Sequence, residues 1–505
     1  MRKRQTKHLT LEAQVADRPW RVAMSLLILP AAFVLAIAAG KATADGHTQI
    51  AILMVGSLAS LAIFRYLRLP TWCSLLLLTA VAARGARYLM GLPEVVDFLH
   101  YPVVLLFALA AADRPARPAS RAPGRWLVMF FLVVLLSAVA HPDVPTRAVL
   151  FLLIAGEPLV VIWAIARWGV DERALHTVGV VALLLAAIQI PIGVYQGLAY
   201  GWSDPVQGTL VGHGAGHHVL GALFALALFI VIAAVLARRL NLLIGLVGAV
   251  LCLGMTLATG SMAVLVIASF AAVLEPLIAP SGRHLGMRFG RRVGTVMIVG
   301  LVGASVLILV AALYRGFYER AASLATSTDQ PGLEIVWDRA MSDPLALLLG
   351  SGPGTSASRA SLLLVDAKPG SPLAFIGLEP TDLGVELRFA TSNEEFGGSV
   401  ESAASSALAV AGDLGLVGLI AFVILFIVMW KRAGRSTSWL APAGRAAVLM
   451  VAPLSLLDNW LEYPEFAIPF AILMGFVLSD AQERREIETA RVLANQPQPG
   501  EQALV

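Results

Sequence analysis

Ser405-Ser406-Ala407-Leu408-Ala409-Val410-Ala411-Gly412-Asp413-Leu414-Gly415-Leu416-Val417-Gly418 opens an apolar run that continues to about residue 430. It follows the one long polar interruption, about Tyr314 to Ser402, in a chain whose other apolar runs lie almost back to back. A run of roughly 17–25 mostly apolar residues crosses a hydrocarbon core of about 30 Å as a helix. Fourteen runs qualify: 21–40, 48–66, 71–90, 95–112, 125–141, 147–167, 176–198, 216–237, 240–258, 261–280, 293–313, 405–430, 442–461 and 464–480. The expected fold is therefore an all-α polytopic integral membrane protein of about 14 transmembrane helices, with a large outer loop between helices 11 and 12.

Composition agrees. Of 505 residues, 58% are hydrophobic and 14% charged, and mean hydropathy is +0.79. A soluble domain carries about a quarter charged residues. The pI near 9.2 does not point to nucleic acid, because the basic residues form short clusters between apolar runs rather than a continuous stripe. Cys73 and Cys252, the only cysteines, both lie inside apolar runs, so neither a disulfide framework nor a metal-ligand spacing is implied. The basic N-terminus runs into a span without a small-residue cleavage site, which predicts an uncleaved first helix.

Orientation follows from charge. With a cytoplasmic N-terminus and alternating helices, 27 of the 37 Lys and Arg residues fall on the inner side. Of the rest, only Lys41, Arg84, Arg87 and Arg147 occupy short outer loops, where cation bias is most informative. The chain then divides into a cytoplasmic tail (1–20), helices 1–11 (21–313), an extracytoplasmic loop or lid (314–402), helices 12–14 (403–480) and a cytoplasmic tail (481–505). Within the outer segment, Leu333–Leu349 has near-helical apolar spacing and ends at the turn signal Gly350-Ser351-Gly352-Pro353-Gly354; a Gly-, Pro- and Ser-rich region follows.

Ionisable groups inside spans are costly and mark candidate sites. Glu157, in Gly156-Glu157-Pro158, is the deepest, while Glu275 and Asp413 lie nearer span ends. Arg84 and Arg87 stand three apart on one helical face; such a pair suits bidentate binding of phosphate or pyrophosphate, the ordinary alternative being ion pairs with Glu94 and Asp97. Arg147 is a similar outer cation or a helix-end anchor. The loop from Asp204 to His218 brings His213, His217 and His218 to the entrance of a span, as a polar substrate site, a metal site, or helix capping. Glycine-rich P-loop, Ser/His/Asp and zinc-type spacings are absent from the sequence, so neither nucleotide nor metal is expected as a cofactor.

Three stretches together resemble the O-antigen ligase and O-antigen polymerase superfamily. They are Gly208-Thr209-Leu210-Val211-Gly212-His213 with His217; Leu253–Val266, containing Thr256-Leu257-Ala258-Thr259-Gly260-Ser261-Met262; and Ile335-Val336-Trp337 to Gly354, continued by Leu408–Gly418. The resemblance covers roughly residues 200–430. It places Ala404 at the family's functional His, Ser405 at its Asn and Met262 at its Arg.

It implies transfer or polymerisation of a polyprenyl-pyrophosphate-linked oligosaccharide onto a glycan or lipid acceptor. The reaction would run at the outer face of the bacterial inner membrane, without metal or nucleotide, in surface polysaccharide synthesis. Arg84, Arg87 and Arg147 would then bind substrate, with His213, His217 or Glu401 in catalytic roles. Partners would be membrane lipids and polysaccharide assembly or export proteins. The alternatives are a lipid-linked glycan flippase or transporter, and a non-catalytic scaffold of an assembly complex.

Overall fold

A computed structural model describes residues 67–92, 94–115, 117–141, 145–211, 216–278, 329–365, 379–391 and 405–494. The expected spans 21–40, 48–66 and 293–313 lie outside these residues, as do His213, Glu401 and Ala404. Among the described residues the protein is entirely helical, without strands. The helices are α1 (Leu69–Leu77), α2 (Ala83–Met90), α3 (His100–Ala112), α4 (Arg121–Ala140), α5 (Pro145–Trp168), α6 (Glu172–Tyr200), α7 (Gly216–Leu236), α8 (Leu242–Ala258) and α9 (Met262–Ile278). After the undescribed stretch come α10 (Asp329–Ser342), α11 (Pro344–Leu349), α12 (Arg359–Val365), α13 (Asp382–Thr391), α14 (Ser406–Ala433), α15 (Ala441–Leu454) and α16 (Pro464–Ala494).

Among the described residues, six helical stretches are long and apolar enough to cross a membrane: Leu69–Met90, Arg121–Ala140, Thr146–Trp168, Glu172–Tyr200, Gly216–Leu236 and Ser406–Ala433. Shorter apolar helices cover Val96–Ala112, Leu242–Ala258, Met262–Pro276 and Ala441–Leu454. Along α4, Val128, Leu132, Leu135 and Val139 are 58%, 59%, 58% and 71% exposed. A helix-long apolar stripe of this kind suits lipid and not water. The core runs through α5, α7, α15 and α16, where Phe224, Phe229, Phe466, Phe470 and Phe476 are fully buried.

The two ends of the bundle differ. At one, Arg114 stacks 3.8 Å from the Trp168 ring, Arg432 lies over Trp126, and Asp480 Oδ2 accepts from the backbone N–H groups of Thr437 (2.6 Å) and Ser438 (2.8 Å). Near this end Arg445 meets Glu275, its Nε 2.6 Å from Oε1, with both residues buried. Breaking a buried ion pair strands the surviving charge, whereas replacing both partners by apolar groups does not. Arg445→Met is expected to destabilise the protein by about 4 kcal/mol, and Arg445→Met with Glu275→Leu to recover most of that. Thermal unfolding of the detergent-solubilised chain measures both.

At the other end the helices are less regular. Between α1 and α2, residues Leu78–Ala82 form a π turn. Such a turn disturbs the carbonyl ladder, and the Val81 carbonyl is taken up by Thr209 Oγ1 at 2.8 Å. Residues 350–365 of the long polar segment also pack at this end. From Gly352 to Leu362 every residue is buried. Ala360 joins an apolar cluster with Val134, Phe151, Ile154 and Leu414, while Ala357, Leu362 and Leu387 join another with Leu408.

Candidate functional site

The segment 350–365 is held by one residue of the helix that follows it in sequence. Asp413, fully buried, accepts from the N–H of Gly354 through Oδ2 (2.9 Å) and of Ser356 through Oδ1 (2.7 Å). Helix α14 is broken two residues later by Gly415, at φ 64° and ψ −160°. There the backbone of α11 comes so close that a Cβ on Gly415 would sit 2.4 Å from the Gly350 nitrogen. The N–H of Ser351 bonds the Gly412 carbonyl at 2.7 Å, and Ser137 Oγ of α4 donates to the Leu349 carbonyl at 2.6 Å.

Locked in this way, the segment carries Arg359 to the turn between α15 and α16. The backbone N–H of Arg359 bonds Glu462 Oε2 at 2.5 Å, its Nη1 donates to the Glu462 carbonyl at 3.1 Å, and its guanidinium lies 5.4 Å from the Tyr463 ring centre. Asn459 Nδ2 donates to the same Glu462 oxygen at 2.6 Å. Glu462 lies in the turn outside the spans; burial pushes its carboxyl up to about 7, opposed mainly by the Arg359 N–H.

Arg84 and Arg87 come to the same place from α2. Asp97 Oδ2 lies 3.7 Å from Arg84 Nε and 3.1 Å from Arg87 Nη1, and Glu465 Oε1 lies 3.9 Å from Arg84 Nε. The ion-pair alternative weighed for these arginines is thus the arrangement seen for Asp97. The side chain of Glu94 lies outside the described residues. Beneath them His100 Nε2 stands 3.8 Å from Glu157 Oε2, both 3% exposed at the side chain, and Arg359 and Glu465 are within electrostatic reach of Glu157. Three guanidinium groups, one imidazole and five carboxyl groups (Asp97, Glu157, Asp413, Glu462, Glu465) therefore share one cluster, buried except at Arg87 and Asp97, whose side chains are 17% and 14% exposed.

A groove leads to it. Trp126, Met129 and Phe130 of α4, Phe151 and Leu159 of α5, Phe422 and Phe426 of α14 and Phe470 of α16 line a space of about 910 Å³. Its walls are apolar except where Ser406, Asn459 and Glu462 close one end.

The other candidates lie apart from the three-arginine contacts. Arg147 Nε donates to the Glu379 carbonyl at 3.1 Å, and its own backbone passes Gly354. His217 Nε2 lies 3.7 Å from Asp204 Oδ1, and its ring is 3.9 Å, centre to centre, from that of His218. Residues 203–211 fold back over the helix entrance, with Gln196 Oε1 accepting from the N–H of Gly208 at 2.7 Å, and bring Asp204 beside His217. No group of three or more metal-ligating side chains occurs among the described residues.

No family model matches the chain, and no curated protein matches it. Its reading rests on the cluster. Arg359, Glu462 and Glu465 are the members that motif reasoning missed. The signal for the two glutamates was an acidic pair three residues apart, around Tyr463-Pro464, where the last apolar run begins.

Proposed function

We propose that the protein is a polytopic inner-membrane transferase or polymerase acting on a polyprenyl-pyrophosphate-linked glycan at the outer face. In this reading it has about 14 spans, both termini are cytoplasmic, and the arginine-rich bundle end faces the cytoplasm, as the positive-inside rule requires. The observation that carries the proposal is the groove ending at Glu462, next to Arg359. An apolar channel whose polar lining includes Glu462, the residue that Arg359 hydrogen-bonds, suits a lipid tail with an anionic head. Arg84, Arg87 and Arg359 would hold the pyrophosphate as it becomes the leaving group, since charge developing there is stabilised best by preorganised cations in a water-poor site. Arg147, beside the buried segment, lines the approach of the acceptor. His217, with Asp204 beside it, is the described candidate for assisting the acceptor hydroxyl, and His213 and Glu401 remain candidates from the sequence alone.

The test is reconstitution in liposomes with lipid-pyrophosphate-linked oligosaccharide. Polymer or transferred product is expected, and Arg359→Ala should lower the rate about 100-fold, the loss of one charge-assisted contact, at equal protein level. Movement of the lipid between leaflets without product would sink the transferase reading in favour of a flippase, an alternative that the acid-rich buried cluster also suits. Neither product nor movement would leave a scaffold.

A further inference from the structure

The cluster has more carboxyl groups than cations. Even with His100 charged, Asp97, Glu157, Asp413, Glu462 and Glu465 outnumber Arg84, Arg87, Arg359 and the imidazole. Asp413 is committed to backbone N–H groups, and Glu462 to the Arg359 N–H and the Asn459 amide. Glu157 Oε1 and Glu465 Oε2, each on a residue 4% exposed, have no hydrogen-bond partner. Through their other oxygens these carboxyl groups keep one ion-pair partner each, His100 for Glu157 and Arg84 for Glu465, so an added anion that competes for or offsets those partners makes the buried charge costly enough for a proton to neutralise it. Metal is disfavoured, because no group of three ligating side chains forms among the described residues.

The guanidinium groups of Arg84 and Arg87 face Asp97 and Glu465, and that of Arg359 faces the Glu462 carbonyl and Glu157. An oxyanion arriving at Arg84 and Arg87 competes with the carboxylate oxygens of Asp97 and Glu465 for them. The displaced carboxyl groups then sit beside a second anion in a site with few waters. Tyr101, on α3, faces Glu157, Glu462 and Glu465 and adds no positive charge.

We propose that this cluster is a proton-linked oxyanion site: binding of an anionic headgroup at Arg84, Arg87 and Arg359 is accompanied by net uptake of at least one proton, stored on Glu157 or Glu465. The proposal rests on the headgroup reading above. The sign follows from linkage. The bound state holds more protons than the free state, so affinity rises as pH falls and weakens as pH rises through the range where the proton is lost.

The experiment uses the full chain in phosphatidylcholine nanodiscs and two probes whose charge does not change with pH, farnesyl sulfate and inorganic sulfate. Dissociation constants are measured from pH 5.5 to 8.5, and calorimetry in two buffers of different ionisation enthalpy counts the protons. For wild type, affinity is expected to fall about 10-fold per pH unit across part of this range, with proton uptake near one. Glu157→Gln should flatten the slope; should that variant fail to fold, Glu465→Gln supplies the same measurement. Glu172→Gln, at the opposite end of the bundle, should keep the wild-type slope. Binding of farnesyl sulfate alone assigns the site to a lipid-borne head, and binding of both probes to the oxyanion itself; either supports the proposal if the slope is present. Tight binding with a flat profile overturns the proton linkage and leaves the headgroup reading standing. Binding of neither probe at any pH overturns both.

Discussion

Replacing Asp413 by alanine is expected to release the segment 350–365 and to cost the protein about 4 kcal/mol. The side chain is 0% exposed and accepts from the Gly354 and Ser356 N–H groups at 2.9 and 2.7 Å. Charge-assisted bonds of this kind are worth more than neutral ones, and their loss strands two buried donors at about 1–3 kcal/mol each. Water is not a ready substitute, because residues Gly352–Leu362 are buried throughout. Arg359 would leave Glu462 with the segment, so transfer activity should fall together with stability. Thermal unfolding in detergent and limited proteolysis within 350–365 measure the release. An unchanged proteolysis pattern would show that the apolar contacts of Ala357, Ala360 and Leu362 hold the segment without Asp413.

The second large effect is expected at Gly415, where Gly415→Ala should cost about 4 kcal/mol. Its φ of 64° is strained for any residue with a Cβ, at roughly 1–3 kcal/mol. A methyl group there would also lie 2.4 Å from the Gly350 nitrogen and 2.5 Å from the Leu348 carbonyl carbon. These are backbone atoms that cannot rotate away, so α11 must move off α14, at a further overpacking cost of about 1–3 kcal/mol. Gly91→Ala is the internal control. Gly91 has a similar φ of 63°, but a Cβ added there would meet nothing within 4 Å, so only backbone strain of about 1 kcal/mol is expected. Melting temperatures of the two variants should separate clearly; equal shifts would exclude the backbone contact as the main source of the loss.

Arg84 and Arg87 were legible as a site because two cations three residues apart in an apolar setting share one helical face. What they face was not, because Glu465 approaches Arg84 from 381 residues away. Glu157 stood out by the cost of a carboxyl inside a span, yet no local pattern ties it to His100, which lies on another helix. Arg359 lies in the Gly-, Pro- and Ser-rich stretch that read as part of an outer loop or lid. The same composition serves close packing: small residues let the Gly352–Leu362 backbone enter the bundle, and Asp413 satisfies the N–H groups that a buried loop otherwise leaves unpaired.

By itself the sequence determined that the chain is all-helical with membrane-length apolar helices, because hydrophobic run length is a local property read directly against the thickness of a bilayer. It also determined that the polar segment after Tyr314 interrupts those helices. Only the tertiary structure decided that residues Gly352–Leu362 of this segment are part of the interior, and that Arg359 meets the acidic turn before α16. Those facts depend on backbone approach at Gly350 and Gly415 and on ion pairs between residues hundreds of positions apart. Local periodicity carries no information about either.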